Sequence, residues 1–310
     1  MINRRFVMPR LPGLARHWSL FVAMPSGLVR VAFAATTTTL TPMVIRSGTQ
    51  LVVSDGFAYL HSARTTVVVD PYGTATAVGG WLAGSSRLFP DEDDQAVWGM
   101  RGDSVGLVHV GTDEPFASFE LPATTVVGDA APLGNGDIAA PGAGGTYDVN
   151  SSHIARRVTA GRLIATGDTV ALAQQCDTVD GCSLLRVGTA PPTPAHRLPG
   201  TFASLAGSRA QGTVSPDGRV VAIDVADGDR ATSLHLVNMN DGRNVDTHLA
   251  TAAPVDGNEV AVWSPDGRYL WTVTSGGALD VVDARTGLLA PESAKLGLRG
   301  RAEALAFAFG

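Results

Sequence analysis

Apolar and polar positions alternate along this chain in short runs, each closed by a turn signal, which is the pattern of many brief β-strands. The clearest stretch lies near the C-terminal end. Glu259 to Ser264 alternates as a first strand, and Pro265-Asp266-Gly267 reverses the chain. Proline presets φ there, aspartate bonds back to the local backbone, and glycine accepts the positive φ that other residues resist. Tyr269 to Ser275 reads as a second strand, Gly276-Gly277 as a turn and Ala278 to Ala284 as a third strand. Arg285-Thr286-Gly287 then leads to a short outer strand from Leu288.

The unit recurs. Val214-Ser215-Pro216-Asp217-Gly218-Arg219 and Trp263-Ser264-Pro265-Asp266-Gly267-Arg268 lie 49 residues apart. The earlier copy is followed by Val220 to Asp224, Ser233 to Met239 and Asn244 to Leu249 as strands. Pro90-Asp91 precedes Gln95 to Met100, Val105 to Val110 and Phe116 to Leu121, and Pro90 lies 126 residues before Pro216, three unit lengths. Two weaker units fall between them. One is Thr125 to Asp129, Asp137 to Ala140, Thr146 to Val149 and Ile154 to Val158; the other is Arg162 to Thr166, Thr169 to Gln175, Cys182 to Val187 and His196 to Leu198. A period in the forties is the length of one four-stranded blade of a β-propeller.

The ends set the expected count. Ala302 to Phe309 reads as a first strand with nothing after it, while Trp18 to Met24, Leu28 to Phe33 and Thr37 to Thr41 supply a second, third and fourth. The two ends are therefore expected to share one blade, which removes free sheet edges. With Met43 to Arg46 and Leu51 to Gly79 as the next blade, the expectation is an all-β propeller of seven four-stranded blades; six, starting near Met43, is the competing count. Residues 18–310 form a single domain on this reading. Residues 1–17 are an extension, either disordered or the remnant of an export segment.

Composition bounds the function more than it names it. The 310 residues carry 45% hydrophobic content with 36 glycines and 18 prolines, enough for a large core and many tight turns. Trp98, Trp263 and Trp271 are expected in the packing between blades. Net charge is −6, lysine occurs once, at Lys295, and no basic stripe with interleaved aromatics appears. Nucleic acid is a poor partner for such a surface. Arg4-Arg5 and Arg16 precede an apolar stretch ending in Ala32-Phe33-Ala34, as in an export signal, but Pro25, Ser26, Gly27 and Arg30 interrupt it. Strands are the preferred reading, with no direct membrane insertion.

Cys176 and Cys182 flank Asp177-Thr178-Val179-Asp180-Gly181, where a hairpin turn is expected. A disulfide across that hairpin, two free thiols, and a metal or redox pair are the open readings; the first would imply an oxidising, extracytoplasmic compartment.

Val262-Trp263-Ser264-Pro265-Asp266-Gly267-Arg268-Tyr269-Leu270 resembles the repeat of TolB-like and WD-like β-propellers, and Leu270-Trp271-Thr272-Val273-Thr274-Ser275 with Leu279 to Thr286 is similar to the YVTN-type repeat of bacterial surface propellers. The match is good over 210–290 and fair over 43–122. The Gly-His and Trp-Asp signatures of eukaryotic WD repeats are absent, and so are the sialidase box and the tryptophan docking repeat of quinone-dependent dehydrogenases. The resemblance implies a scaffold that binds proteins, peptides or glycans.

No catalytic residue, metal site or cofactor is expected from the sequence. Asp91-Glu92-Asp93-Asp94 lacks the spacing of a calcium loop, and Asp224, Asp227 and Asp229 match one only loosely. The seven histidines are dispersed singly, and no Gly-x-Ser-x-Gly elbow or phosphate loop occurs. Arg101-Gly102-Asp103 matches an adhesion tripeptide but sits where a turn needs its glycine. A propeller meets ligands at the end built from the loops joining blades and the loops joining second to third strands. Those loops hold Trp81, Arg101, Asp103, Asp227, Asp229 and Arg230, the candidate binding residues, with solvated turn residues as the alternative. A binding or assembly module outside the cytoplasm and a propeller enzyme, a lyase, lactonase or hydrolase, are the two functions carried forward.

Overall fold

The computed structural model describes residues 18–309 apart from 33–36, 63–64, 92–95, 123–129, 134–136, 151, 153, 168–169, 179–180, 189–194, 201–208, 227–231, 252–260 and 291–300. The chain starts with β1 (Trp18–Met24), β2 (Gly27–Ala32) and β3 (Thr37–Pro42), then β4 (Gln50–Ser54), β5 (Phe57–Ser62), β6 (Thr65–Val69) and β7 (Ala75–Val78). After the single-turn helix α1 (Gly80–Gly84) come β8 (Arg87–Pro90), β9 (Ala96–Arg101), β10 (Ser104–His109) and β11 (Ala117–Glu120). Next are β12 (Ala131–Pro132), β13 (Ile138–Gly142), β14 (Gly145–Val149) and β15 (Ala155–Thr159). β16 (Arg162–Thr166), β17 (Val170–Thr178), β18 (Gly181–Gly188) and β19 (His196–Arg197) precede β20 (Arg209–Val214), β21 (Val220–Ala226), β22 (Thr232–Asn238) and β23 (Asn244–Thr251). β24 (Ala261–Trp263), β25 (Tyr269–Val273), β26 (Leu279–Asp283) and β27 (Ala304–Phe309) end the chain.

These strands form a propeller-like series of small sheets. Among the described residues there are five sheets of three or four strands, ordered β27-β1-β2-β3, β4-β5-β6-β7, β11-β10-β9-β8, β12-β13-β14-β15 and β24-β25-β26, and one of eight strands. Seven separate four-stranded blades, the sequence expectation, are therefore not what the hydrogen bonding shows. The eight-stranded sheet runs β19-β18-β17-β16-β20-β21-β22-β23 because β16 and β20 pair in parallel, Ala165 opposite Gly212 and Thr166 opposite Thr213. The β24 sheet has three strands because the expected outer strand from Leu288 is reduced to one bridge, Val282 with Leu289. Met43 to Arg46 is not a strand either: its amides bond back to the Pro25 and Ser26 carbonyls, Val44 is 84% exposed, and the sheet starts at Gln50. Thr125 to Asp129 lies outside the described residues.

The terminal strands share a sheet, as expected. β27 runs antiparallel to β1 from Trp18 opposite Phe309 to Ala23 opposite Ala304. β1 is buried almost throughout, Trp-Ser-Leu-Phe-Val-Ala-Met, because both of its faces are covered. Leu20, Val22 and Met24 pack with Trp271, Val281 and Leu305, while Phe21 and Ala23 pack with Leu51, Val53 and Leu60. Strands buried on both faces read as continuous apolar runs, and each Leu or Val so buried contributes about 1.5–3 kcal/mol. Trp98, Trp263 and Trp271 are buried as expected, at 6%, 6% and 0% exposure.

The two repeated turns have the same wiring. Ser215 Oγ donates to Asp217 Oδ1 at 2.7 Å and accepts from the Val220 amide at 2.9 Å; Ser264 Oγ donates to Asp266 Oδ1 at 2.6 Å and accepts from the Tyr269 amide at 2.9 Å. The aspartates also accept from the Arg219 and Arg268 amides, both at 3.1 Å. Gly218 and Gly267 supply φ of 67° and 65°.

The chain divides into two compact units, one drawn from Met1–Arg101, Gly106–Ala117 and Thr251–Gly310, the other from Gly102–Val105 and Ser118–Ala250. No helix among the described residues is long and apolar enough to cross a membrane.

Candidate functional site

In the first unit the irregular connection between β7 and β8 carries the most distinctive side-chain arrangement. α1 is anchored by Leu82, 1% exposed, which packs with Val52, Tyr59, Leu88, Val97 and Val108. Its neighbour Trp81 is half-buried. The Trp81 amide donates to the Asp113 carbonyl at 2.9 Å, its indole Nε1 donates to the Gly99 carbonyl at 3.1 Å, and its own carbonyl accepts from Ser85 Oγ at 3.0 Å. The indole lies on a floor without side chains: a Cβ added at Gly99 would stand 3.0 Å from the ring, and one at Gly106 would stand 2.7 Å from it.

Arg101, the exposed last residue of β9, places its guanidinium carbon 5.8 Å from the Trp81 ring centre and against the backbone of Gly84. A cation held over an indole keeps its N–H donors free to point outward, and guanidinium suits carboxylate or phosphate groups. Trp81 and Arg101, two residues singled out in the sequence, are thus brought together.

Beneath them, His61 is 3% exposed. Its Nδ1 lies 2.9 Å from Thr66 Oγ1, and Thr66 Oγ1 donates to the Leu82 carbonyl at 3.0 Å. With its hydroxyl proton committed to Leu82, Thr66 accepts from His61 Nδ1–H, which assigns the tautomer. Burial holds the histidine below its usual pKa of 6.5, opposed in part by the Ser85 backbone. A relay from β5 through β6 to α1 therefore supports the helix that carries Trp81. Nothing in the local sequence announces it, because its members are 5 and 16 residues apart.

The other candidates sit differently. Asp103, in the second unit, is an exposed turn residue: its carboxylate accepts from Ser104 Oγ at 3.4 Å and its carbonyl from the Leu121 amide at 2.7 Å. Asp227, Asp229 and Arg230 lie outside the described residues, as do Glu92, Asp93 and Asp94. Asp91 accepts from the Trp98 indole at 3.1 Å. Cys176 and Cys182 are joined as a disulfide across the β17–β18 hairpin.

One feature of the second unit went unnoticed in the sequence. Asp148 on β14 is pushed above the usual carboxylate range by burial and by the negative charge of Asp137, while Arg156 at 4.0 Å pulls the other way. No group of three or more metal-ligating side chains occurs among the described residues.

Solved structures share this fold at low identity. A protein described as a candidate 6-phosphogluconolactonase from Bacteroides fragilis matches at TM-score 0.56 with 13% identity, over 97% of this chain and 99% of that one. Apo AztD from Citrobacter koseri matches at 0.56 with 13% identity, over 88% and 80%. The periplasmic gluconolactonase PpgL from Pseudomonas aeruginosa matches at 0.55 with 13% identity, over 94% and 99%. No family model matches the chain, and no curated protein matches it. The class defined is an all-β, propeller-like protein, and likeness at this identity extends to the fold alone.

Proposed function

We propose that this chain is a non-catalytic binding module that works outside the cytoplasm on a protein, peptide or glycan bearing acidic groups. The observation that carries the reading is the Trp81–Arg101 pair: an exposed guanidinium set over an indole that rests on Gly99 and Gly106. An aromatic surface supplies stacking area and the guanidinium supplies bidentate recognition. The location is supported by the Cys176–Cys182 bridge, since disulfides persist in oxidising compartments, and by the periplasmic description of one structural neighbour.

We also infer that the eight-stranded sheet is two blades joined at β16 and β20, and that the Leu289 bridge marks the outer edge of the β24 sheet. Counted so, the chain holds seven blades, with β27 and β1 as the seam.

The competing reading is a lactone hydrolase, favoured by the descriptions of two structural neighbours. One experiment separates them. The protein is titrated by calorimetry against acidic and neutral glycans and peptides, and assayed in parallel for hydrolysis of gluconolactone and 6-phosphogluconolactone. Binding of an acidic ligand that Arg101→Ala weakens about tenfold, without loss of fold, supports the module. Turnover of a lactone above the spontaneous rate, unaffected by Arg101→Ala, overturns it.

A further inference from the structure

The disulfide of the second unit is lopsided. Cys176 is exposed, whereas Cys182 is 0% exposed and packed with Leu172, Leu184 and Ile223. Gln174, itself 6% exposed, directs its side-chain amide at both sulfurs, Nε2 donating to Cys176 Sγ at 3.1 Å and to Cys182 Sγ at 3.2 Å. A nucleophile from solvent can therefore approach Cys176, and the amide beside both sulfurs includes Cys182 Sγ, where charge develops as the bond breaks. The ladder is also interrupted at this point: pairing is regular from Val170 opposite Gly188 to Gln175 opposite Ser183 and shifts before Thr178 pairs with Gly181. The bridge lies next to that irregularity.

We propose that this bridge is a thiol-exchange site, with Cys176 as the sulfur that accepts an external thiolate and Cys182 as the resolving sulfur. An incoming thiolate, from a low-molecular-weight thiol or a protein dithiol, attacks Cys176 Sγ and forms a mixed disulfide there. The Cys176–Cys182 bond breaks, and its electron pair leaves on Cys182 Sγ, which Gln174 Nε2–H stabilises as a thiolate. Burial disfavours a negative charge on that sulfur and would slow the step, and the amide offsets this. Two outcomes follow. Cys182 thiolate attacks Cys176 Sγ, expels the external thiolate and restores the bridge. Alternatively, a second external thiolate attacks the external sulfur of the mixed disulfide, which oxidises two external thiols to their disulfide and leaves Cys176 and Cys182 reduced, each taking a proton from solvent.

The test uses the full chain. The folded protein is exposed briefly to limiting reduced glutathione, quenched in acid, and mapped by mass spectrometry after alkylation of free thiols. Glutathione is expected on Cys176 with an alkylated Cys182, in excess over the reverse arrangement by about tenfold or more, because reactivity follows exposure. Adducts shared equally, adducts favouring Cys182, or exchange confined to unfolded protein would overturn the proposal. Gln174→Leu removes the donor at similar size. A folded variant, checked by circular dichroism, is expected to exchange several-fold more slowly, and an unchanged rate refutes the role of the amide. If that variant does not fold, the map of the unaltered protein decides by itself.

Discussion

Two connections in the first unit achieve stability by opposite means. The turn from Ser264 to Arg268 is shaped from within: the bonds of Ser264 Oγ and Asp266 Oδ1 join residues at most five apart, and the copy at Ser215 repeats them atom for atom. The connection from Gly79 to Ser86 adds to its short-range bonds three distant partners, the Gly99 carbonyl, the Asp113 carbonyl and the Thr66 hydroxyl. Repeated local chemistry builds the scaffold. The connection from Gly79 to Ser86 departs from the repeat, and it carries the indole over which Arg101 is set.

The contrast is broken most severely at the glycine floor. Gly106→Val places atoms where the Trp81 indole lies, since even a Cβ would stand 2.7 Å from the ring. Neither the β10 backbone nor the buried α1 anchor can retreat easily, so overpacking is expected to cost about 2–3 kcal/mol in urea unfolding. Gly102→Ala is the control for glycine loss, because no atom lies near its added Cβ and only its φ of 63° resists. It is expected to cost about 1 kcal/mol. If the two variants lose equal stability, the indole is not seated on the floor described.

The repeated turn comes next in size. Ser264 and Ser215 are 0% and 2% exposed, and each hydroxyl makes one donated and one accepted bond. Ser264→Ala and Ser215→Ala are each expected to lose about 1–2 kcal/mol, chiefly because the Tyr269 and Val220 amides lose their acceptor, while the exposed Asp266 and Asp217 carboxylates keep the Arg268 and Arg219 amides. The two losses should agree and should add within about 0.5 kcal/mol in the double variant, since the turns share no partner. Unequal losses would show that the copies are alike in geometry and different in energetic role.

What the sequence disclosed follows the same division. The Ser-Pro-Asp-Gly turns, the strands around them and the shared terminal sheet were legible because their determinants are adjacent residues or continuous apolar runs such as Leu20 to Met24. The start of β4 was misread because Met43-Val44-Ile45 looks like a strand and Gln50 does not. In the folded chain the Gln50 side chain exchanges bonds with the backbone of Leu88, its Oε1 accepting from the Leu88 amide at 2.9 Å and its Nε2 donating to the carbonyl. A buried polar residue here acts as a strand partner, which hydropathy cannot show. The Trp81–Arg101 pair was half legible: both residues fell in loops expected at one end of the blades, but their approach depends on glycines in β9 and β10 that carry no pattern of their own. The joined β16 and β20 were illegible, for two paired positions decide it.

The smallest expected effect tests the support beneath that pair. The folded pKa of His61 lies below 6.5 because burial disfavours the imidazolium. The unfolded chain therefore binds a proton there at a higher pH than the folded one does. Stability from this group is fully present above pH 6.5 and is lost as pH falls below that value toward the folded pKa. Thermal midpoints measured from pH 7.5 down to 5 should decline, and His61→Gln, which cannot titrate, should decline less over the same window. The gap between the two curves isolates His61 from the carboxylates that also titrate lower down. Since protonation adds an Nε2–H beside Ser85, at the end of α1, the decline should be accompanied by a change in the fluorescence of Trp81, read as the signal lost in Trp81→Phe. A midpoint gap without that change would place the strain of protonation in β5 and β6 and leave α1 uncoupled from the histidine.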